Sequence, residues 1–417
     1  MAQRILSVIG GGASGMAAAI EAARCIKSTD AEIKVEIYER LPKVGKKILA
    51  TGNGRCNILN IKTDMDKYSG DKAFISGIFS QYDVESNIEF FKSIGLYLKE
   101  DADGRLYPMS NQASSVLDAL RFETEHLGIE IHADTKIERL TQTKNGYLLN
   151  DSYVSDAVII AGGGKSAKVQ GSDGSCFDLL SSLGIKVKPT FPALTGIVLK
   201  KKNKFLKGTR AHGEILVVEN GRVIAASSGE LQYTDYGISG IPAMEVSRAV
   251  SAHFTLHKKG RIILSVNSLP DFSQEEIYSF LTERKKNNPD LKCEDLLSGL
   301  MPKKLGVSKL AAATIGADTL LSSLTKNKIA LLTEIINSEI FEVSGVLGFD
   351  HSQVTAGGAD TGCFDKNTLE SKTRKGLFAC GELLDVDAGC GGYNLAWAWS
   401  SGRCAGANAV KYLAEIE

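Results

Sequence analysis

The N-terminal segment RILSVIGGGASGMAAAIEAARC constrains the fold of this chain more than any other stretch. It reads as an apolar strand, a glycine turn and an alanine-rich helix. Gly10, Gly12 and Gly15 form the pattern GxGxxG, and a second apolar strand, KVEIYER, carries Glu39 near its end. This strand, turn, helix and strand context predicts a parallel α/β sheet that binds a dinucleotide at the glycine turn.

The glycines and the acidic residue have separate tasks in such a turn. Gly10 makes the tight turn, Gly12 lets the backbone approach a pyrophosphate, and Gly15 permits close packing of the helix. The phosphates would lie at the helix N-terminus, on free N–H groups and the positive end of the helix dipole. Glu39 would accept hydrogen bonds from the ribose hydroxyls and would repel a 2′-phosphate. FAD and NAD satisfy this part of the chain equally.

Residues 45–57, GKKILATGNGRCN, leave the second strand and must cross the nucleotide. Their glycines let backbone N–H groups approach phosphate and ribityl oxygens, as an anion-binding loop requires. The cationic side chains can offset phosphate charge, the polar ones can form hydrogen bonds, and the cysteine is expected near the ring. The predicted contacts are Lys46, Lys47, Thr51, Gly52, Asn53, Arg55, Cys56 and Asn57.

A second glycine cluster follows the apolar strand DAVIIAGGG, where residues 162–167 also spell GxGxxA. The next residues, KSAKVQGSDG, lack the apolar period of a helix, so a second dinucleotide fold is not predicted there. We interpret the cluster as a turn at the end of a strand that returns to the first nucleotide. Its predicted contacts are Ala161, Gly162 and Gly163.

The C-terminal segment distinguishes the two dinucleotides. The strand in FACGELLD ends at Gly381 and Glu382, and a glycine cluster up to Gly392 precedes a helix that should begin near Tyr393 or Asn394. A second helix N-terminus directed at the first domain suits flavin, because the reduced ring carries negative charge over N1 and the C2 carbonyl. Nicotinamide gains no such anion. The predicted cofactor is therefore FAD, and Ala396 joins its predicted contacts.

The order of elements predicts a discontinuous domain. The chain begins and ends with strands, glycine turns and helices, whereas residues 188–272 read as short strands joined by glycine turns and residues 273–337 as short helices. Within the first part, FISGIFSQYDVESNIEFFKSIG reads as a helical stretch, a further helix should begin through Ser114 or Ser115 as its N-cap, and EIHADTKIERL reads as a strand. We predict an α/β Rossmann-like FAD-binding domain from residues 1–187 and 346–417. A β-barrel-like insertion would comprise residues 188–272 and 338–345, and a helical insertion residues 273–337.

Composition excludes some classes of partner. Lys plus Arg and Asp plus Glu number 49 each, so no net field favours nucleic acid or an anionic membrane. The eight cysteines include no CxxC pair, which argues against structural zinc and a redox dithiol. No metal is predicted, and reduced thiols in a cytoplasmic protein are expected. The basic stretch KKKNKFLK, Lys200 to Lys207, reads as a solvated loop.

Several motifs together resemble one family over essentially the whole chain. GGGASGMAAA, GKKILATGNGRCN, GRLYPMSNQASSVL, TDYGISGIPA and GELLDVDAGCGGYNLAWAWSSG are similar to the BaiN-like (YhiN-like) FAD flavoproteins, which include aminoacetone oxidase. The resemblance implies a fold of the glutathione-reductase or succinate-dehydrogenase type. The FAD contacts that it implies are Ala13, Ser14, Glu39, Arg40, Lys47, Asn53, Cys56, Asn57, Ile137, Gly162, Glu382, Asp385, Asn394 and Leu395. Ala388, Cys390 and Ala396 depart from the common family wording, so the substrate does not carry over.

We therefore predict an FAD-dependent oxidoreductase that passes hydride through flavin N5 to or from a small organic or steroid-like substrate. An NAD(P)H-linked reductase of the BaiN type is favoured, with nicotinamide docking transiently. The alternatives are an amine oxidase that uses O₂, an FAD-containing RNA-binding or RNA-modifying protein, and a flavin-loaded sensor. The predicted catalytic residues are Tyr393, Arg105, Tyr107 and Cys56, and further candidates near the substrate are Tyr233, Asp235, Tyr236 and His351.

Overall fold

A computed structural model describes residues 3–256 and 260–416 of the chain. The chain divides into two compact units. The first extends to Thr190 and resumes at Val354, and the second is Phe191–Gln353. The division into three segments that the sequence predicts stays a prediction. Among the described residues, no helix has both the length and the apolar character needed to span a membrane.

Strands and helices are numbered in chain order. The strands are β1 (Arg4–Ile9), β2 (Ile33–Tyr38), β3 (Leu59–Asn60), β4 (Tyr68–Ser69), β5 (Leu98–Glu100), β6 (Arg105–Pro108), β7 (Glu130–His132), β8 (Leu140–Thr143), β9 (Gly146–Leu149), β10 (Tyr153–Ser155), β11 (Ala157–Ile160), β12 (Phe191–Ala193), β13 (Ile197–Leu199), β14 (Arg210–Glu219), β15 (Arg222–Tyr233), β16 (Gly237–Ser239), β17 (Ile262–Asn267), β18 (Glu339–Val346), β19 (Val354–Ala356), β20 (Leu377–Ala379) and β21 (Asp387–Ala388). The helices are α1 (Ala13–Ile26), α2 (Lys72–Phe79), α3 (Val84–Ser93), α4 (Ala113–His126), α5 (Ser175–Ser182), α6 (Ile241–Leu256), α7 (Gln274–Asn287), α8 (Lys303–Ala312), α9 (Lys326–Asn337) and α10 (Tyr393–Glu415).

The first unit is built on a five-stranded sheet in the order β20-β11-β1-β2-β7, and every pair in it is parallel. Strands β1, β11 and β20 are buried over most of their length and consist largely of Ile, Val, Leu, Phe and Ala. Such apolar runs are typical of parallel strands covered on both faces. The predicted strand, turn and helix at the N-terminus is confirmed, and β1 lies between β2 and β11.

Helix α10 packs directly on α1 because two of its residues lack a side chain. A Cβ added at Gly402 would lie 2.3 Å from the Ser14 carbonyl oxygen, and one at Gly406 would lie 2.2 Å from that of Ala18. Both distances are shorter than any real contact of this kind. The last helix of the chain thus packs closely against the first.

The second unit contains a closed barrel in the order β13-β16-β15-β14-β17-β18. Helix α6 packs on β15, and Ala243, Val246 and Val250 join the hydrophobic core of the barrel. This helix corrects the sequence prediction, which placed only strands between residues 188 and 272. Its sequence, IPAMEVSRAVSAHFTL, places apolar residues at helical spacing, but the neighbouring glycine turns suggested strands.

Helices α7, α8 and α9 form a separate hydrophobic core in the second unit. Helix α7 begins with a capping box between Ser273 and Glu276, a strong signal for a helix start. A buried ion pair holds α8 to the barrel strand β18, since Lys309 Nζ lies 2.6 Å from the Glu339 carboxylate and the lysine is fully buried. Burial lowers the pKa of Lys309, and the nearby Glu339 carboxylate opposes that shift.

Three local predictions differ from the structure. The helix expected to begin through Ser114 or Ser115 has Gln112 as its N-cap instead, with no side-chain cap. The segment EIHADTKIERL, read as one strand, contains only β7 and the first residue of β8. The helical stretch after residue 73 is two helices, α2 and α3, capped by Asp71 and Asp83. These aspartates accept hydrogen bonds from first-turn N–H groups, which favours a new helix start at each.

Candidate active site

The turn between β1 and α1 leaves room for a ligand beside exposed backbone donors. Gly10 has a φ of +106°, and a Cβ there would lie 2.6 Å from the Ala161 carbonyl oxygen. A Cβ at Gly12, the N-cap of α1, would meet no atom of the described residues within 4 Å. Because glycine has no side chain to cap the helix, its first-turn N–H groups can face a phosphate. This open cradle fits the pyrophosphate of FAD.

Glu39 is oriented by the same turn. One carboxylate oxygen accepts a hydrogen bond from the Gly11 N–H at 2.9 Å, and the other accepts one from the Leu41 N–H at 2.8 Å. A carboxylate offers about four acceptor positions, so each oxygen keeps one for a ribose hydroxyl. The neighbouring Arg40 forms an ion pair with Asp173. Its charge is therefore already balanced by the loop that precedes α5.

The segment after β2 returns to the glycine turn before it crosses the site. The Gly45 N–H donates to the Gly11 carbonyl at 2.8 Å. Further on, Lys47 pairs with Glu382 at 2.8 Å, and Glu382 also accepts from the Thr355 N–H at 2.9 Å. Two predicted cofactor residues from opposite ends of the chain thus lie together. Lys46 and Asn53 are exposed, and Thr51 donates to the Ile48 carbonyl at 2.6 Å.

Arg55 is held by contacts with other side chains, and its predicted role in offsetting phosphate charge stays a prediction. Its guanidinium lies over the Tyr107 ring at 4.1 Å and donates to Asp101 at 3.0 Å and to Asn111 at 3.1 Å. These partners lie on and beside the β5–β6 hairpin, so the arginine anchors that hairpin. The Tyr107 ring also approaches Gly52, where a Cβ would lie 3.5 Å from it.

Of the four predicted catalytic residues, Cys56 lies within residues 52–60, and Arg105, Tyr107 and Tyr393 lie beside this segment. Arg105 pairs with Asn60 across β3 and β6 and lies 3.6 Å from Asp103. The backbone carbonyl of Tyr393 accepts a hydrogen bond from the Tyr68 hydroxyl at 3.0 Å, and both rings are buried. Burial raises the pKa of the Cys56 thiol to about 12. Cys56 is therefore protonated at neutral pH and unsuited to act as a thiolate, while its contact with a cofactor stays a prediction.

The glycine cluster of residues 162–164 lies beside the first turn. β11 pairs with β1, and a Cβ at Gly10 would lie 2.9 Å from the Cα of Gly162. Within the described chain no α-helix follows this cluster directly, since only a one-turn 3-10 helix, Lys168–Gln170, lies between it and the start of α5 at Ser175. The turn at the end of β11 is confirmed, and its contact with the nucleotide stays a prediction. Ile137 is buried in the core of the same unit.

Several C-terminal residues assigned to the cofactor are bonded to other parts of this unit. Asp385 pairs with Lys188 at 2.8 Å. The Asn394 amide accepts from the Ala388 N–H at 2.9 Å and donates to the Ala388 carbonyl at 2.7 Å. Gly381, with a φ of +73°, leaves space for Ser14, whose hydroxyl would lie 2.3 Å from a Cβ there. Leu395 is partly buried and Ala396 is buried.

Other candidates lie elsewhere in the second unit. Tyr233 is buried in the barrel core, and burial raises the pKa of its hydroxyl. The exposed Asp235 pairs with Lys207 at 2.7 Å, His351 is exposed, and the Tyr236 hydroxyl would lie 2.6 Å from a Cβ at Gly196.

One group of possible metal ligands lies at the sheet edge, formed by Glu36, Glu130 and His132. The Lys34 ammonium lies 2.7 Å from Glu36 and 2.5 Å from Glu130, and so supplies a cation to both carboxylates.

The family of the chain follows from its match to one family model. Residues 4–408 match the model described as the HI0933-like protein Rossmann domain. The chain belongs to this family. It is 37% identical over 412 residues to a 3-dehydro-bile acid delta(4,6)-reductase of Clostridium scindens, covering 97% of this chain and 99% of the relative. It is 27% identical over 403 residues to a ribosomal RNA dihydrouridine synthase of Haemophilus influenzae, and this match covers 94% of this chain and 95% of the relative.

A solved structure supports the fold. The 3-ketosteroid delta1-dehydrogenase of Sterolibacterium denitrificans, in complex with 1,4-androstadiene-3,17-dione, is 12% identical and has a TM-score of 0.50. The match covers 99% of this chain and 100% of that one. At this identity it shows the fold alone. The predicted Rossmann-type FAD-binding fold with an inserted barrel is confirmed, and the chain is an FAD-dependent oxidoreductase.

Proposed function

We propose that the chain reduces a carbon–carbon double bond conjugated to a carbonyl group in a steroid-like substrate, with a nicotinamide as electron donor. The observation that carries this proposal is the 37% identity to the bile acid reductase over nearly the full length of both chains. Near-complete coverage supports a shared site and not only a shared nucleotide-binding fold.

The reaction class follows from the chemistry in that relative's name. A 3-oxo steroid with double bonds at positions 4 and 6 is a conjugated enone, and hydride addition at its far end sends an electron pair towards the carbonyl oxygen. The resulting enolate then takes up a proton on the other carbon of the former double bond, which saturates that bond. Bound FAD, once reduced by the nicotinamide, would supply the hydride. The overall reaction consumes one NAD(P)H and one proton for each double bond.

Two groups of residues would bind the cofactor and deliver the proton. The open α1 turn would bind the pyrophosphate, Glu39 the ribose, and the paired Lys47 and Glu382 would lie beside the cofactor. We propose Tyr107 and Arg105 as the groups that bind the carbonyl oxygen or pass the proton, because both lie on β6 beside residues 52–60. Tyr393 is the third candidate.

Anaerobic stopped-flow spectroscopy tests the proposal. NADPH or NADH should bleach the flavin absorbance, and a 3-oxo steroid with a conjugated 4,6-diene should restore it. The saturated 3-oxo steroid, which offers no double bond, is the matched control and should leave the flavin reduced. Bleaching by aminoacetone, followed by peroxide on admission of O₂, would instead indicate the amine oxidase and refute the reductase.

A second candidate substrate is RNA. In uracil the C5–C6 double bond is conjugated to the C4 carbonyl, so the dihydrouridine synthases at 27% identity perform the same class of reduction. The segment from Lys200 to Lys207 exposes Lys201, Lys202 and Lys204 beside Phe205, whose side chain could stack on a base. The balanced net charge argues against this candidate. Filter binding of ribosomal RNA fragments at low salt, with dihydrouridine measured after turnover, decides between them.

A further inference from the structure

Asn60 is a buried amide that joins three distant segments of the first unit. It is 3% exposed. Its Nδ2 donates to the Gly391 carbonyl at 2.9 Å and to the Asp103 carbonyl at 3.2 Å, and its Oδ1 accepts from the Lys62 N–H at 2.9 Å. Both N–H groups and the oxygen are therefore used. No sequence motif singled out this residue.

The turn that Asn60 holds is the start of α10. Gly391 and Gly392 have φ values of +123° and +96°, and Gly392 is the N-cap of the helix. Two consecutive glycines supply little stiffness of their own, because they populate many backbone conformations. The turn must be fixed from outside.

A second amide supports the same turn. When its amide is oriented to satisfy both neighbours, Asn57 accepts from the Gly392 N–H at 3.1 Å and donates to the Leu59 carbonyl at 3.1 Å. That carbonyl is close to the turn, since a Cβ at Gly392 would lie 2.5 Å from it. Residues 57–60 thus hold the glycine turn through hydrogen bonds to Gly391 and Gly392.

We propose that Asn60 is a positioning residue: it fixes the N-terminus of α10, which the sequence predicts beside the flavin ring, and thereby raises the reduction potential of the bound FAD. The proposal rests on the FAD oxidoreductase function and goes beyond it. The positive end of a helix dipole stabilises an anion only within about one turn of the helix. If the glycine turn is released, the helix start moves and the negatively charged reduced flavin loses more stabilisation than the oxidised flavin.

The chain offers a matched control on the same helix. Asn87 is fully buried and donates to the Asp83 carbonyl at 2.8 Å and to the Ser400 hydroxyl of α10 at 2.8 Å. Ser400 lies about two turns beyond the helix start. Loss of this amide should therefore weaken the packing of α10 without moving its N-terminus.

The experiment compares Asn60→Ala with Asn87→Ala in the FAD-loaded protein. The readouts are the two-electron midpoint potential from dye equilibration, the dissociation constant for FAD, and the melting temperature of the FAD-free protein. Both variants should melt at a lower temperature. Only Asn60→Ala should shift the ratio of affinities for reduced and oxidised FAD, by about tenfold, which corresponds to a potential about 30 mV lower.

Equal potentials in wild type and Asn60→Ala, or equal shifts in both variants, would overturn the proposal. Should Asn60→Ala fail to fold, Asn60→Ser and Asn87→Ser repeat the comparison with a smaller loss of polarity. Loss of FAD from both members of a pair would also overturn it, because the two amides would then serve packing alone. No substrate enters the measurement, so failure of the proposed enone reduction leaves this test intact.

Discussion

Replacement of Gly402 by alanine should weaken FAD binding from a position that touches no ligand. The new Cβ would lie 2.3 Å from the Ser14 carbonyl, whereas ordinary contacts begin near 3.4 Å. Helices α1 and α10 must therefore separate by about 1 Å, since neither the new Cβ nor the Ser14 carbonyl oxygen can rotate away. Ser14 lies in the first turn of α1. The separation consequently displaces the N–H groups that would bind the pyrophosphate.

The magnitude follows from two opposing effects. Overpacking of a close contact costs about 1 to 3 kcal/mol, and the higher helix propensity of alanine returns about 1 kcal/mol. We expect the free energy of unfolding of the FAD-free protein to fall by up to about 2 kcal/mol. The dissociation constant for FAD should rise at least about tenfold, equivalent to about 1.4 kcal/mol.

Urea unfolding followed by circular dichroism measures the stability, and the change in FAD fluorescence on binding measures the affinity. Gly348→Ala is the matched control, because a Cβ at Gly348 meets no described atom within 4 Å and its φ is −68°. It should leave both quantities close to those of wild type. An unchanged FAD affinity in Gly402→Ala would refute the reasoning that close helix packing positions the phosphate turn.

Further predictions concern single side chains. Lys309→Met should cost about 3 kcal/mol in urea unfolding because it leaves the Glu339 carboxylate without its buried partner, and the double variant with Glu339→Leu should recover most of that loss. A double variant less stable than the single one would contradict this. Cys56→Ala should keep the turnover rate within about threefold of the wild-type rate, because a thiol with a pKa of about 12 supplies no thiolate. A loss of turnover beyond about 100-fold would contradict this prediction. Arg55→Met should raise the dissociation constant for FAD by less than about tenfold, since the Arg55 guanidinium binds the hairpin beside Tyr107. A larger rise, together with a weaker salt dependence of FAD binding, would indicate that Arg55 contacts a phosphate.

Local patterns were sufficient for the elements that carry strong short-range signals. The β1, turn and α1 segment, the absence of a helix directly after residue 163, and the start of α10 at Tyr393 all agree with the sequence predictions. Each depends on glycine conformation and apolar period within a few residues. The misassigned start of α4 and the missed α6 lie where such signals conflict, with Ser114 and Ser115 beside Gln112 and with glycine turns before Ile241.

Site residues were predicted as contacts of a ligand, but their mutual bonds were not predictable. Arg55 was assigned to phosphate and lies on Tyr107, while Lys47 and Glu382 pair across 335 residues of sequence. Asn60 was overlooked although it follows a recognised motif by three positions. A sequence indicates that a polar residue needs a partner, but the partner depends on which distant segment the fold brings near.

By itself, the sequence predicted a dinucleotide at a glycine turn and one domain built from both ends of the chain, because glycine conformation and strand periodicity are local properties of the backbone. Only the tertiary structure decided which charged and amide groups are already paired, and hence which remain to bind FAD and substrate. Long-range packing determines these pairings, because the free energy of a buried polar group depends on the atoms that surround it.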